Sequence, residues 1–554
     1  MVDDFSYVKS AEVLAQTGHV VYNGWATAML GWQLLLGALF VKLFGPSFTT
    51  ARASTLLISL ATAYLTQRTL VRAGVNSRNA TIGTLALVLS PLFLPLALSF
   101  MSDIGGLFCI VLCLYACLRA LQAETDRAVL LWLAFASLSN ALGGTIRQIA
   151  WLGVLVMFPC AVWLLRRRPR VVFLGVVLYL VSGAIIFAAM HWYSLQPYAV
   201  PESIPPMRLD HHKLNLLMAN VLGIFLGTAV FLLPILAAFA AVLPWRDRRT
   251  RLSLAAGAAV FAALVFLLHR GHRLTASLAP YLPNYVTVNG MVDVMKLRGS
   301  RPVILTPGIR LVLTAAVFFA LVSFITFLLA ALKSSARPAA ISNPGPGKID
   351  WHSLLLLLVP FTICYLALLM PRASSMGLLD RYLLPLILIG ILLLVRLFQD
   401  RAQDRAESYL PPIAIALTAL FAAYAVAGTH DAFSFFRARA AAVGELLAAG
   451  VPDTAIDGGF EHNGLTQIEQ TGHINDPRIR VPAAVYFDPH SPFPPNCEPD
   501  EFFRIPVMVP GYALSFDPNS CGRLSQFAPV TYSAWLGEHT VSIYIVKTSK
   551  AGSN

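Results

Sequence analysis

Charge is what this chain has little of. Only 12% of its 554 residues are Asp, Glu, Lys or Arg, against roughly 25% in an ordinary soluble domain. That scarcity excludes a water-soluble globule. The apolar runs are continuous and do not alternate with polar residues, which excludes a membrane β-barrel. No basic stripe interleaved with aromatics occurs, so the net charge of +13 is not a nucleic-acid footprint. Cysteine is sparse: five of the seven, Cys109, Cys113, Cys117, Cys160 and Cys364, fall in apolar runs. Helical spacing stacks the first three on one face, where thiols lacking His or acidic partners are small core residues rather than metal ligands. Cys497 and Cys521 form a separate pair near the carboxyl end, either bonded or free.

What is abundant is apolar surface. Hydrophobic residues make up 57% of the chain and mean hydropathy is +0.68, the composition of an α-helical polytopic membrane protein. At ~20 apolar residues per crossing, the runs suffice for about 12 transmembrane helices. The expected spans cover about residues 53–70, 80–100, 104–121, 128–145, 150–165, 171–190, 214–243, 252–268, 311–332, 354–370, 382–398 and 412–428. Alternate loops carry Arg68, Arg72 and Arg78; Arg119 and Arg127; Arg166, Arg167, Arg168 and Arg170; Arg246, Arg248, Arg249 and Arg251; Lys333, Arg337 and Lys348; and Arg396, Arg401 and Arg405. Basic loops stay in the cytoplasm. The other loops, with Asp3, Asp4, Asp103, Arg147, Asp380 and Arg381, then face outward.

This alternation holds if the equally apolar stretch 25–44 lies in the outer interface instead of crossing. The alternative, an ordinary crossing, leaves the amino terminus inside. Nothing apolar precedes residue 25, so an outward amino terminus implies a crossing upstream of residue 1. From about His430 the composition changes: Asp453, Asp457, Glu461, Glu469 and Asp476 sit among turn formers, and Pro492, Pro494 and Pro495 bar a helix. The expected division is residues 1–50 as a first outer loop with the acidic motif and an interfacial helix, 51–429 as the transmembrane helical domain, and 430–554 as a small extracytoplasmic α/β domain. Within that last unit, 433–449 reads as an amphipathic helix and 540–546 as a half-buried strand.

Ionised groups at a membrane boundary are costly unless hydrated or paired, which marks Asp103 and Arg147 as functional candidates. Asp103 can also be a helix-end acid, favoured by the helix dipole. Carboxylates at such a place serve either as a general base or as ligands of a divalent cation. His211 and His212 beside Asp210, and His269 with His272, are further loop groups, more often solvated than ligating. The aromatic rings of Trp192, Tyr281 and Tyr285 suit the headgroup boundary.

Asp3-Asp4-Phe5-Ser6-Tyr7, then Thr17-Gly18-His19, Asn23-Gly24-Trp25, Leu43-Phe44-Gly45 and Arg52 resemble the first outer loop of GT-C glycosyltransferases. Their protein mannosyltransferase and aminoarabinose transferase branch, with the related bacterial lipopolysaccharide core transferases, is the nearest in pattern. Ser90-Pro91 leading to Met101-Ser102-Asp103 is similar to the second acidic motif, Arg381-Tyr382-Leu383-Leu384-Pro385 to a later helix start, and Ile456-Asp457-Gly458-Gly459-Phe460 to the outer domain of some bacterial members. The chain departs from the aminoarabinose transferases by having Ala28-Met29-Leu30-Gly31-Trp32 where they carry Lys-Pro-Pro.

The resemblance implies an inverting glycosyltransferase in the bacterial inner (plasma) membrane. Such an enzyme takes a sugar from a polyprenyl-phosphate donor to an envelope acceptor (lipid, glycan or protein) at the outer leaflet. Asp3 is then the expected base, with Asp4 next and Asp103 orienting the acceptor or assisting a metal. Arg147 and Arg381 are the expected donor-phosphate contacts, because guanidinium matches phosphate oxygens bidentately. Otherwise Arg147 is an interfacial anchor and Arg381 the partner of Asp380. Tyr7, Asn23, Trp25, Gln148 and Tyr382 complete the expected substrate contacts. No cofactor is required by these motifs, and a divalent cation stays open. The rival reading is a transporter or flippase whose polar groups line a path open to both sides in turn.

Overall fold

The structure is a computed structural model, and it describes residues 4–25, 28–200, 210–292, 297–334, 349–375, 377–401, 409–474, 497, 507–518 and 521–548. Asp3 and the prolines at 492, 494 and 495 lie outside the described residues. The chain starts with α1 (Asp4–Thr17), α2 (Gly31–Phe44), α3 (Phe48–Arg72), α4 (Ser77–Val88), α5 (Phe93–Ala97), α6 (Ser102–Gln122) and α7 (Asp126–Gly143). After a 3₁₀ turn (Gln148–Trp151) and a π turn (Gly153–Met157) come α8 (Phe158–Leu164), α9 (Pro169–Ser194), α10 (His211–Phe231), α11 (Leu233–Ala241) and α12 (Arg248–Arg270). The short hairpin β1 (Val286–Thr287) and β2 (Gly290–Met291) precedes α13 (Pro307–Ser334), α14 (Trp351–Ser375), α15 (Leu384–Arg401) and α16 (Pro412–Ala448). The end of the chain forms β3 (Ile456–Asp457), α17 (Phe460–Thr471), β4 (Tyr512–Ser515), β5 (Arg523–Leu524), β6 (Val530–Ser533) and β7 (Thr540–Lys547).

Among the described residues, 8 helices are long and apolar enough to cross a membrane: α6, α9, α10, α12, α13, α14, α15 with the 3₁₀ turn before it, and α16. The protein is integral to a membrane. Four of the twelve expected runs, 53–70, 80–100, 128–145 and 150–165, form no helix in that set. The run 80–100 breaks at Pro91, which has no N–H to continue the ladder, and Ser90 Oγ accepts the Phe93 amide at 3.1 Å to start α5. The run 214–243 keeps one span, α10, which ends at Leu232, where Pro234 opens α11. Residues 150–165 are not a uniform helix. The Asn140 side chain enters the backbone ladder there, accepting from Val154 N–H at 2.8 Å and donating to Cys109 C=O at 3.1 Å. An inserted side chain of this kind opens an α-turn into a π-turn.

The run 53–70 lies in α3, which is long but carries Arg52, Arg68 and Arg72. The run 128–145 falls on α7, an 18-residue helix outside that set of eight. Helix α2 has 14 residues, short of the ~20 that a crossing takes.

Helix α6 is the innermost span, packed between α3 and α7, whereas the protein scarcely covers α12. The core is continuous from the Phe5 end of α1 through Leu114, Phe239 and Leu388 to Ile545 of the sheet. In that sheet β3 and β4 are parallel, β4 and β5 flank β7 antiparallel, and β6 also pairs with β7. Val541, Ile543 and Ile545 point inward on β7, the period of two expected for 540–546. Cys497 and Cys521 are bonded.

One boundary differs from the sequence reading. The helix expected over 433–449 is not separate but continues the last span, so the division at His430 falls inside the 37-residue α16. From Pro412 to Ala448 no proline follows the first turn, and nothing in the sequence stops the helix at the end of its apolar half.

Candidate active site

The acidic motifs sit in two ion pairs joined by one turn. Asp4 opens α1, where the helix dipole favours an acid, and it is fully buried. Arg52 Nε of α3 donates to Asp4 Oδ2 at 2.8 Å, and the Phe100 amide reaches the same oxygen at 3.4 Å. The Arg52 guanidinium lies over the Phe48 and Phe433 rings, at 5.1 and 5.8 Å. Burial works against the Asp4 charge, but attraction to nearby cations, Arg52 first among them, holds the carboxyl below the usual carboxylate range. Asp4 therefore ties α1, α3 and the turn at Phe100 together.

Asp103 stands in the first turn of α6, three residues past Phe100. Its Oδ1 accepts from Arg147 Nη1, while Oδ2 is buried with no hydrogen bond. Arg147, itself extended, follows the turn that ends α7, and this segment needs room beside α6. Gly105 provides it, because a Cβ there would run into the Ile146 side chain. The Leu30 amide holds this segment from the other side, donating to Ile146 C=O at 3.2 Å. Gln33, on α2, donates to the carbonyls of Phe100 and Met101 at 3.1 and 3.4 Å, so α2 fixes the turn between the two acids.

Three guanidiniums meet on one ring. Arg147 and Arg372 lie 5.4 Å from the Tyr382 ring centroid and Arg381 lies 5.8 Å from it. Tyr382 is buried, and its carbonyl accepts from Tyr365 Oη at 2.6 Å. Arg372 ends α14, and its Nε is buried without a hydrogen bond. Asp380 is tied to the β1 segment: its Oδ2 accepts from the Tyr285 and Val286 amides, each at 2.8 Å. Stacking on a ring stabilises each cation by about 0.5–2 kcal/mol. The cations also repel one another, so the arrangement favours an anion arriving beside them.

The sequence grouped Asp4 with Asp103, and the structure gives each its own arginine. It brings Asp103, Arg147, Arg381 and Tyr382 together, with Gln148 beginning the next turn. Tyr7 is buried in the core, and Asn23 is occupied within its own loop. Ser6 Oγ donates to Asn23 Oδ1 at 2.7 Å, and Asn23 Nδ2 donates to Ser6 C=O at 2.8 Å.

Trp25 packs on Phe460 of α17 at 5.5 Å, and Phe460 meets Phe5 at 5.8 Å. Helix α17 and the residues just after it grip the acidic loop at two further points: Lys9 Nζ to Glu469 Oε1 at 3.3 Å, and the Ile474 amide to Asn23 C=O at 2.8 Å. Glu461, beside Phe460, pairs with Arg439 of α16. Burial opposes its charge, and Arg439 holds its carboxyl below the usual range. His462 is pushed down by burial, with Arg439 adding repulsion.

Sequence reasoning missed Arg372 and Glu461. Arg372 had a signal, a cation just past an apolar span at the same end as Arg381. Glu461 had none beyond its place after the Gly458-Gly459-Phe460 motif. Among the described residues, no group of three or more His, Cys, Asp or Glu side chains is placed to hold a metal ion.

No protein-family model and no curated protein matches the chain. Three solved structures are similar to it. ArnT from Cupriavidus metallidurans in the apo state is 14% identical with a TM-score of 0.36, over 100% of this chain and 94% of that one. ArnT from Cupriavidus metallidurans bound to undecaprenyl phosphate is 13% identical with a TM-score of 0.36, over 100% and 95%. The archaeal oligosaccharyltransferase AglB from Archaeoglobus fulgidus, in complex with an inhibitory peptide and a dolichol-phosphate, is 13% identical with a TM-score of 0.35, over 77% and 51%.

Proposed function

We infer that the protein is an inverting glycosyltransferase of GT-C type, moving a sugar from a polyprenyl-phosphate donor to an envelope acceptor at the outer leaflet of a bacterial inner membrane. The observation that carries this reading is the meeting of Arg147, Arg372 and Arg381 on Tyr382 beside Asp103. A phosphate bonded to the anomeric carbon leaves as an anion and needs positive charge rather than a proton donor. In the reaction, an acceptor hydroxyl oxygen bonds to the anomeric carbon from the face opposite the phosphate. The carbon–oxygen bond to phosphate breaks, and its electron pair stays on the leaving phosphate. The hydroxyl proton passes to a carboxylate, and the configuration inverts.

Arg147, Arg372 and Arg381 hold the departing phosphate. Asp103 steers Arg147 and offers Oδ2 toward the acceptor. Asp3 is the base that the first motif supplies, and Asp4 anchors that motif through Arg52. A divalent cation, where one takes part, would be held by Asp103 and would supply further positive charge to the leaving phosphate.

In this reading the loop charges set the geography. Residues 1–50 form the outer loop with α2 in the interface, 51–429 the membrane domain, and 430–554 the extracytoplasmic unit clamped on it by α17. The test is mass analysis of envelope glycans in cells with and without the protein, paired with assay of the purified protein in vesicles holding a polyprenyl-phosphate sugar. A sugar missing from the glycans, together with transfer in vesicles, is the expected result. Net movement of the lipid-linked sugar across vesicles with no transfer would replace this reading by a flippase.

A further inference from the structure

The 148–164 segment that begins at Arg147 carries a second basic group at its far end. At ~1.5 Å per residue its 17 residues span roughly 25 Å, so Arg166, Arg167, Arg168 and Arg170 lie about a bilayer thickness from the Tyr382 cluster. These arginines are not alike. Arg168 is engaged by the protein, donating to Asp126 Oδ1 and Glu124 C=O at 3.2 Å each. Arg166, Arg167 and Arg170 are exposed. Arg166 folds back over the Trp163 ring at 5.3 Å.

Directly beneath them, α8 and α9 diverge around a groove of about 620 Å³ lined by Phe158, Val162, Trp163, Val172, Val176 and Tyr179, with Arg166 at its rim. The inner end is closed by the Phe158 and Tyr179 rings, stacked at 6.5 Å with an interplanar angle of 8°. Trp163 and Phe173 are 61% and 69% exposed on its sides. Gly175 sets the approach of the two helices, since a Cβ there would lie 2.9 Å from Val162 Cγ2.

The groove is thus polarised: Arg166 at one end, with Arg167 and Arg170 exposed at the same turn just outside its lining, aliphatic and aromatic walls along its length, and an aromatic floor at the other end. That is the polarity of an amphiphile with an anionic head and a hydrocarbon tail, and basic pockets beside membrane helices select such lipids. We propose that the α8–α9 groove is a binding site for one anionic glycerophospholipid, its headgroup phosphate on Arg166, Arg167 and Arg170 and one acyl chain running down to Phe158 and Tyr179. The site lies at the other end of the fold from the Tyr382 cluster and does not depend on the reaction there.

Native mass spectrometry of the detergent-purified full chain, titrated with phosphatidylglycerol or phosphatidylcholine, tests it. The wild type takes up one phosphatidylglycerol in preference to phosphatidylcholine. In Arg166→Gln/Arg167→Gln/Arg170→Gln the first phosphatidylglycerol binds on the order of a hundred-fold more weakly, the loss expected of three arginines at a lipid surface. Val176→Trp, which fills the groove from an exposed position and keeps every charge, weakens both lipids. Circular dichroism equal to wild type shows that each variant is folded; if the triple variant does not fold, Val176→Trp and the lipid preference of the wild type decide the matter. Equal uptake of the two lipids by the wild type, or unchanged uptake by Val176→Trp, overturns the proposal. So does displacement of phosphatidylglycerol by an equimolar polyprenyl phosphate, which would make the groove a carrier site.

Discussion

Asp4 and Asp103 are both buried carboxylates, each paired with one arginine, yet their surroundings differ in kind. Asp4 is sealed: Arg52 and the Phe100 amide converge on one of its oxygens, and aromatic rings cover the arginine. Asp103 is left open on one side, with Oδ2 unbonded and an arginine that also faces the Tyr382 ring and two further cations. A buried pair with its bonding satisfied holds elements in place, whereas a pair with a spare acceptor and two further cations beside it suits something that arrives. In the proposed reading the first acid is scaffolding and the second handles substrate.

Exchange of each carboxylate for its amide is the sharpest way to break this contrast. Asp103→Asn removes the charge that steers Arg147 and the oxygen offered to the acceptor. The initial rate of sugar transfer should fall by about 10²–10⁴-fold, the range for a positioned acid–base group, with thermal unfolding changed far less. Asp4→Asn should do the reverse, costing about 1.5–3 kcal/mol of stability because the half-buried Arg52 loses the acceptor of its charge-assisted hydrogen bond. The double variant Asp4→Asn/Arg52→Met should recover part of that loss in the same unfolding assay. Transfer abolished by Asp4→Asn in a fully stable protein would erase the distinction.

Smaller effects refine it. Arg372→Gln should raise KM for the lipid-linked donor by roughly 10–100-fold, the worth of one charge-assisted hydrogen bond, and leave stability near wild type. The α17 clamp should show in the pH dependence of stability. Burial holds the His462 pKa in the fold below its unfolded value of about 6.5. Its contribution is therefore complete above about pH 6.5 and falls away as the pH drops through that value, because the unfolded chain takes up the proton first. His462→Gln should flatten the decline in unfolding midpoint between about pH 7 and pH 5. Asp4 and Glu461, with depressed carboxyl pKa values, lose their contributions only further down, as pH falls below about 4.

Much of this was legible in the residues. Continuous apolar runs announced the helices, and alternation in β7 announced its strand. Arg147, Arg381, Tyr382 and Asp103 stood out as polar groups at span ends, and they do meet. What could not be read was which side chain answers which. Arg52 lies 48 positions from Asp4 and Glu461 lies 22 from Arg439, distances over which only the packed fold decides partners. Nor does hydropathy register a single proline or an inserted amide, so the breaks at Pro91 and Leu232 and the π turn that the Asn140 amide opens at Val154 were invisible to it. The continuity of α16 was hidden for the opposite reason, because a change in composition at His430 looked like an end of structure.

The decisive measurement is the affinity of the purified protein for a polyprenyl phosphate, compared with that of Arg147→Gln/Arg372→Gln. If the cations around Tyr382 receive the donor's phosphate, the double variant stays folded and binds at least a hundred-fold more weakly. Equal affinity in the two proteins would contradict the account.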